Sequence, residues 1–421
     1  MRLNVRFLII LLSVSLVLGL ALFGLNRWQQ GRSTDRLLEE AQIAQEENRP
    51  ADAIRLLRRY LAADGGSADL HADLGELLVE TQQYEAGYFE LERAVRIDPN
   101  LLEPRQQLVD LSMAMQRYDD ARGHLSDFLI PSAADSPADL AKYRWQLGRC
   151  EQAVGEAERA LEAYEQAVLE DGSSAVYAAT LAALLTDQLN QPVKALSVLD
   201  HLVEDNPQST ESWVARGRWK LARYETLLNA APDAASAMLD GAWSDAQQAM
   251  QIDASQGEAV VFAVQAALAG QRIDEALAIV NAGLEANPTM ADLYGSAAQI
   301  ELQKDDIPAA TEILRRGLRA VPGQADLLWN LAQLELDAGN SERVEELLAE
   351  LRSQNYTEAP IRFLEARMLA DKGEWRQAAT AIENSRALFQ RDTELVKQVD
   401  FLLANCYQSL GNIDQQLVAL R

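Results

Sequence analysis

The residues with the most reactive side chains are few and lie far apart in the sequence. The 421-residue chain has three histidines, His71, His124 and His201, and none belongs to a His-Glu-x-x-His pattern or a comparable zinc-ligating spacing. Its two cysteines, Cys150 and Cys406, are too few for a disulfide scaffold or a cysteine-rich zinc module. We interpret both as small core residues. The sequence therefore predicts neither a metal site nor a bound cofactor.

Carboxylates are the remaining candidates for acid-base chemistry, and they are abundant. Neighbouring pairs such as Glu39-Glu40 and Glu345-Glu346 are typical of solvated helix faces, because catalytic carboxylate pairs lie on different elements around a cleft. The sequence also lacks a Walker A, a G-x-G-x-x-G or a G-x-S-x-G motif. We predict that the protein is not an enzyme.

The balance of charge restricts the class of ligand. Acidic residues number 64 and basic residues 38, which gives a formal charge of −26. Nucleic acid is a poor candidate ligand for such a chain, because phosphate backbones are bound by clustered Lys and Arg. Hydrophobic residues make up 48% of the chain, which predicts a packed protein and not a disordered one.

The elements that carry these side chains recur about every 34 residues, with small insertions between some of the blocks. The last block is incomplete. The blocks begin at Thr34, Ala68, Leu102, Ala141, Ala175, Thr210, Gly257, Ala291, Ala325, Ala359 and Lys397.

Several positions within the blocks have a fixed character. The eighth residue is Ala, Gly or Val in every block. The twentieth is so in all but the last block, which has Gln416, when the block from Ala175 is aligned with a one-residue gap and the block from Thr210 with a longer one. The later positions are counted with the same gaps. Small residues at two positions let two antiparallel helices cross closely. The twenty-fourth residue is apolar throughout and fills the groove toward the next repeat. Prolines at the thirty-second position stop the second helix, so the pattern predicts an all-α chain of helical pairs; they are Pro99, Pro207, Pro288 and Pro322.

This pattern resembles the tetratricopeptide repeat family, whose unit is a helix-turn-helix of the same length. The resemblance covers about residues 34–421 and implies an all-α, right-handed solenoid of about ten to eleven repeats, which we assign to residues 33–421. An inserted segment at about residues 229–241 either lengthens two helices or forms a bulged loop. The residues that carry the resemblance are Leu74-Gly75 with Ala94 and Pro99, Leu147-Gly148 with Ala160, Tyr164 and Ala167, and Trp213 with Gly217.

The N-terminal residues have a different character from the repeats. Phe7 to Leu25 form an uncharged apolar run whose length is close to the roughly 20 residues that span a bilayer as a helix. We predict a transmembrane helix over residues 7–25 within a signal anchor over residues 1–32, with a cleaved signal peptide as the alternative. Arg2 and Arg6 favour a cytoplasmic N-terminus, which predicts a single-pass membrane protein whose repeats lie on the periplasmic side.

The resemblance also implies a binding surface, because the second, fifth, ninth and twelfth positions of each first helix line a groove in this family. Aromatic residues assigned to the fifth position, and Arg, Gln or Asn at the ninth, are suited to binding a peptide. In the alternative interpretation the aromatic residues pack between helices and the arginines pair with nearby carboxylates. The predicted partner-binding residues are Trp145, Arg149, Arg218, Phe262, Gln299, Trp329, Gln333, Phe363, Arg367, Phe401 and Asn405, and Gln265 is a further ninth-position residue.

The functional hypothesis that follows is a membrane-tethered scaffold that gathers partner proteins through its repeat surface. The alternative is a regulatory or export-machine subunit, associated with polysaccharide export or a glycosyltransferase, whose catalytic part lies C-terminal to this chain or on another one. A third hypothesis is self-association through the end of the repeat array.

Overall fold

The computed structural model describes residues 36–64, 67–133, 136–354, 356–389 and 393–419. All regular secondary structure within these ranges is helical, as the sequence predicted. The chain divides into two compact units, of which the first ends at Val198 and the second begins at Leu199.

The helices of the first unit come in antiparallel pairs. The second helix of the third repeat contains a π-helical turn, Leu125–Leu129. This repeat is also the longest of the unit, because its block begins at Leu102 and the next block begins only at Ala141. The helices are α1 (residues 36–46), α2 (Pro50–Asp64), α3 (Ala68–Glu80), α4 (Tyr84–Ile97), α5 (Leu102–Ala114), α6 (Tyr118–His124), α7 (Ile130–Ser132), α8 (Pro137–Ala153), α9 (Ala157–Glu170), α10 (Ala175–Asp187) and α11 (Pro192–Asp205), the last of which contains the boundary between the units.

The second unit continues the pairing. Its first pair is longer than the others, because the inserted segment at about residues 229–241 extends the helices: α12 has 18 residues and α13 has 21. The helices are α12 (Thr210–Leu227), α13 (Pro232–Ile252), α14 (Gly257–Ala269), α15 (Ile273–Ala286), α16 (Ala291–Gln303), α17 (Ile307–Ala320), α18 (Ala325–Asp337), α19 (Ser341–Ser353), α20 (Glu358–Asp371), α21 (Trp375–Phe389), α22 (Thr393–Ser409) and α23 (Ile413–Ala419).

Close crossing of paired helices explains the small residues at the eighth position. A Cβ atom added to Gly75 would lie 2.6 Å from Cγ of Leu91, and one added to Gly148 would lie 2.5 Å from the ring of Tyr164. Leu91 and Tyr164 are the twenty-fourth residues of the same blocks, and both are fully buried. The eighth residue must therefore be small because the large apolar side chain of the partner helix occupies the space.

A left-handed residue joins the two helices of most repeats, at a position that the sequence pattern did not single out. Such a residue ends the first helix, because it lets the next amide bond back to the helix: Gln83 N donates to Leu78 O at 2.8 Å, and Arg272 N donates to Ala267 O at 2.8 Å. The residues with positive φ at this turn are Asn48, Gln82, Gln116, Gly155, Asn190, Gln271, Asp305, Gly339, Gly373 and Gly411.

Two predictions about the membrane are corrected. The segment predicted to span a bilayer, residues 7–25, lies outside the described residues, and no helix among those described is both long and apolar enough to cross a membrane. The described fold is therefore an all-α helical repeat, and the transmembrane helix predicted ahead of the repeats is not supported. The prediction of a single-pass membrane protein with periplasmic repeats was inferred from that helix and is therefore not supported either.

Candidate partner-binding groove

One opening in the second unit combines residues from three successive repeats. The first helices of these repeats, α14, α16 and α18, line a groove of about 560 Å³, which we call the amide groove. Its surface alternates small and apolar side chains with amides and carboxylates. The residues that define it are Val261, Gln265, Asp292, Gly295, Ser296, Gln299, Asp326, Asn330, Gln333 and Asp337.

Three glutamines form a ladder along the amide groove. Gln265, Gln299 and Gln333 occupy the ninth position of successive blocks, one repeat apart, and all three line the groove. Gln265 and Gln299 are exposed, and Gln333 is half-buried. Within the described part of the chain their side chains have no hydrogen-bond partner. Each amide therefore keeps two donors and an acceptor for a ligand.

The floor of the groove at α16 is open because residue 295 is glycine. A Cβ atom added to Gly295 would have a single neighbour within 4 Å, Nδ2 of Asn330 at 4.0 Å. Gly inside a helix is about 1 kcal/mol less favourable than Ala, and here no packing contact among the described residues requires it. The glycine thus lowers helix stability and leaves room where a bound chain would approach the helix backbone.

The electrostatic character of the groove is negative. Asp292 and Asp326 are exposed and occupy the second position of successive blocks. Asp337 lies at one end, where its Oδ1 is 2.5 Å from Nη2 of Arg367 on α20. No Lys, Arg or His is among the described residues that line the groove itself.

Four of the predicted binding residues lie in or beside the groove. Gln299 and Gln333 line it, and Arg367 borders it through Asp337. Trp329 is half-buried on α18, with its ring centroid 6.4 Å from that of Tyr356. That these residues bind a partner stays a prediction.

Two predicted residues belong to the first unit, whereas the residues that line the amide groove belong to the second. Trp145 donates from Nε1 to Oγ1 of Thr180 at 3.2 Å, and its ring lies 5.7 Å from that of Tyr177. The guanidinium of Arg149 is 4.9 Å from the Trp145 ring. Arg149 also lines a smaller pocket of about 260 Å³ beside Asp110.

Two predicted aromatic residues are core residues. Phe262 is fully buried and Phe363 is 4% exposed. Phe262 is the sixth residue of its block, which begins at Gly257; the fifth is Val261. One residue turns a side chain by about 100° around a helix. Phe262 therefore points toward Gly217 of α12, where a Cβ atom would lie 2.3 Å from its ring, while Val261 lines the groove.

The remaining predicted residues lie elsewhere on the second unit. Arg218 is exposed on α12, with Nη1 at 3.7 Å from Oε2 of Glu258. Phe401 is 64% exposed on α22, and Asn405 of the same helix is half-buried. The structure does not bring them into the amide groove.

Sequence reasoning missed the acidic residues and the glycine of the groove. Asp292 and Asp326 carry a readable signal, because they share the second position of adjacent blocks. Acidic residues are common in the first turn of any helix, so that signal does not by itself distinguish a ligand site. Gly295 could be recognised only once the structure showed that no described neighbouring helix needs the space.

Reactive side chains elsewhere are held in unreactive states. Burial raises the pKa of Cys150 to about 11 and also raises the pKa of Cys406, so both thiols stay protonated at neutral pH. Among the described residues no group of three or more His, Cys, Asp or Glu side chains could hold a metal ion.

Comparison with solved structures finds distant matches. Yeast Tom70 is 12% identical, with 93% of this chain and 91% of that one covered and a TM-score of 0.46. A tetratricopeptide repeat protein from Parabacteroides merdae is 18% identical, with 64% of this chain and 98% of that one covered and a TM-score of 0.43. A tetratricopeptide repeat protein from Thermus thermophilus is 19% identical, with 47% of this chain and 99% of that one covered and a TM-score of 0.37. Among curated proteins none matches the chain.

Family models match parts of both units. One model of the tetratricopeptide repeat matches residues 44–100, and a second matches residues 263–325, which include the second half of α14 and all of α15, α16 and α17. The paired helices, the interval between blocks and these two matches agree with one another. The chain is a tetratricopeptide repeat protein.

Proposed function

We propose that this protein is an interaction scaffold whose amide groove binds an extended segment of a partner protein. Tetratricopeptide repeat proteins are in general non-catalytic scaffolds for protein–protein interaction, which supports the class of function. The observation that carries the location is the ladder of Gln265, Gln299 and Gln333, whose side chains have no partner among the described residues and line one groove.

The spacing of the ladder suits an extended polypeptide. Neighbouring packed helices lie about 8–10 Å apart, and an extended chain advances about 3.3 Å per residue. One helix of the groove therefore corresponds to about three residues of ligand, and the three glutamines correspond to a segment of about six to nine residues. Each glutamine can donate to a backbone carbonyl and accept from a backbone amide of that segment.

Filling the groove tests the proposal. Gly295→Trp adds a large side chain at the open floor of α16, where an added Cβ meets no atom closer than 4.0 Å. Gly123→Trp is the matched control, because Gly123 is also helical, lies in the first unit, and has no atom within 4 Å of an added Cβ. The probe is a phage-displayed library of random peptides of about ten residues selected on the full chain.

The proposal predicts that selected peptides lose at least about tenfold in affinity for Gly295→Trp and keep their affinity for Gly123→Trp. Circular dichroism of both variants checks that helicity is intact. Peptides that bind the wild type and Gly295→Trp equally well, or a selection that enriches no peptide, would show that the groove is not the binding site.

We propose separately that copies of this chain associate with one another. Sedimentation velocity across a range of concentrations tests it, and a constant mass would remove it.

A further inference from the structure

The amide groove has more negative charge than its neighbouring residues neutralise. The carboxylates of Asp292 and Asp326 have no ion-pair partner within the described ranges, although both are exposed on the same groove. Asp337 does have one, Arg367, which lies beyond the groove lining on α20. A ligand that enters the groove therefore meets two free carboxylates and one that is already paired.

Helix stability alone accounts for part of this pattern. An acidic residue in the first turn interacts favourably with the helix dipole, and Asp292 and Asp326 both lie in first turns. The corresponding acid of α14, Glu258, lies 3.7 Å from Arg218 and so has a cation within the protein. The helix dipole explains why acidic residues occur in the first turn, but it does not pair Asp292 and Asp326 with a cation.

The positions of the two free carboxylates set a spacing for the ligand. They lie on adjacent helices of the groove, α16 and α18, at equivalent positions. Helices pack about 8–10 Å apart, and an extended chain of the polyproline II type rises about 3.1 Å per residue with three residues per turn. Side chains about three residues apart on such a chain face the same way at the matching distance, so the matching cations are about three residues apart. The amides of Gln299 and Gln333 on the same two helices are then placed to hold the backbone between them.

We propose that the amide groove selects basic extended segments, in which Lys or Arg recurs at about every third residue and pairs with Asp292 and Asp326. This inference rests on the proposed function, because it names the chemistry of the segment that the groove takes. It depends on charge complementarity in a groove whose described lining contains no cation, and on the equal spacing of the acids and the amides.

Fluorescence polarisation with three labelled peptides of about ten residues tests the selectivity. The peptides have the same Ser and Thr background and carry Lys, Gln or Glu at every third position. The Lys peptide is expected to bind the full chain at least about tenfold more tightly than the Glu peptide, and its affinity is expected to fall between about 50 mM and about 500 mM salt.

A double substitution removes the charge and keeps the shape. Asp292→Asn with Asp326→Asn is expected to weaken the Lys peptide about three- to tenfold and to leave the Gln peptide unchanged. Asp274→Asn with Glu275→Gln removes the same charge from the first turn of α15, outside the groove. This matched control separates a local effect from attraction to a chain of net charge −26, and it is expected to leave all three affinities unchanged.

The outcomes separate this inference from the proposed function. Equal affinities for the Lys and Glu peptides, both lost in Gly295→Trp, would overturn the charge selectivity and leave the groove as a binding site. An equal loss in the control double variant would also overturn the selectivity. Lys-peptide binding that Gly295→Trp leaves unchanged would overturn both.

Discussion

At the scale of single residues, Glu335 of α18 shows how the repeats hold an internal carboxylate. Its side chain is 2% exposed, Nη2 of Arg315 lies 2.6 Å from Oε1, and Nδ2 of Asn340 donates to Oε2 at 2.7 Å. Burial raises the pKa of Glu335, but the hydrogen bonds from Asn340 and Arg315 outweigh burial and hold the pKa below its usual value.

The lowered pKa of Glu335 predicts a pH dependence. A carboxyl whose pKa is lower in the folded state adds stability above its unfolded pKa, which is about 4.3 for Glu, and loses it as the pH falls through the folded pKa. Glu335→Gln should therefore reduce the difference between the free energies of unfolding at pH 7 and at about pH 3. Urea unfolding at both pH values measures this.

The control for this prediction is Glu346→Gln, because the Glu346 carboxylate is 66% exposed and pairs with Arg343 at the surface. Surface pairs contribute little to stability. If wild type, Glu335→Gln and Glu346→Gln lose the same stability on acidification, the account of Glu335 is wrong.

At the scale of the elements, two helical glycines have opposite roles. Gly148 of α8 touches the crossing helix, because an added Cβ would lie 2.5 Å from the ring of Tyr164. Gly295 of α16 faces open space in the amide groove. The same substitution should therefore change stability in opposite directions at the two sites.

We expect Gly148→Ala to lower the free energy of unfolding by about 1–3 kcal/mol, since the added methyl group overpacks the helix crossing. We expect Gly295→Ala to raise it by about 0.5–1 kcal/mol, since Ala is the better helix former. Urea denaturation of both variants at neutral pH measures the two changes. A loss of stability in Gly295→Ala would mean that the groove floor is packed.

The sequence predicted the helical pairs because their cause is local and repeated. Small residues at the eighth position and apolar residues at the twenty-fourth recur in each block, and Gly75 and Leu91 meet as that pattern requires. The left-handed turn has no signal in the sequence at Gln82, Gln116 and Gln271, because glutamine is not typical of positive φ. The type of residue at this position differs from block to block, so it did not stand out as part of the repeat.

At the scale of the whole molecule, the sequence predicted a groove but placed only part of it. The ninth-position glutamines do line it, whereas the aromatic Phe262 lies in the core because a shift of one residue moves a side chain to another helix face. Which residues share one groove depends on which helices pack together, and the sequence alone does not give this. The sequence therefore could not show that Trp145 and Arg149 belong to the first unit whereas the amide groove is lined by the second.

The amide groove of the second unit is proposed to bind an extended segment. Hydrogen–deuterium exchange of the full chain with and without the Lys peptide checks this placement, because a bound ligand slows the opening of the helices that it contacts. The account predicts slower exchange in α14, α16 and α18, and unchanged exchange in α8 and α10 of the first unit. Slower exchange confined to the second helices of the repeats, α15, α17 and α19, would contradict it.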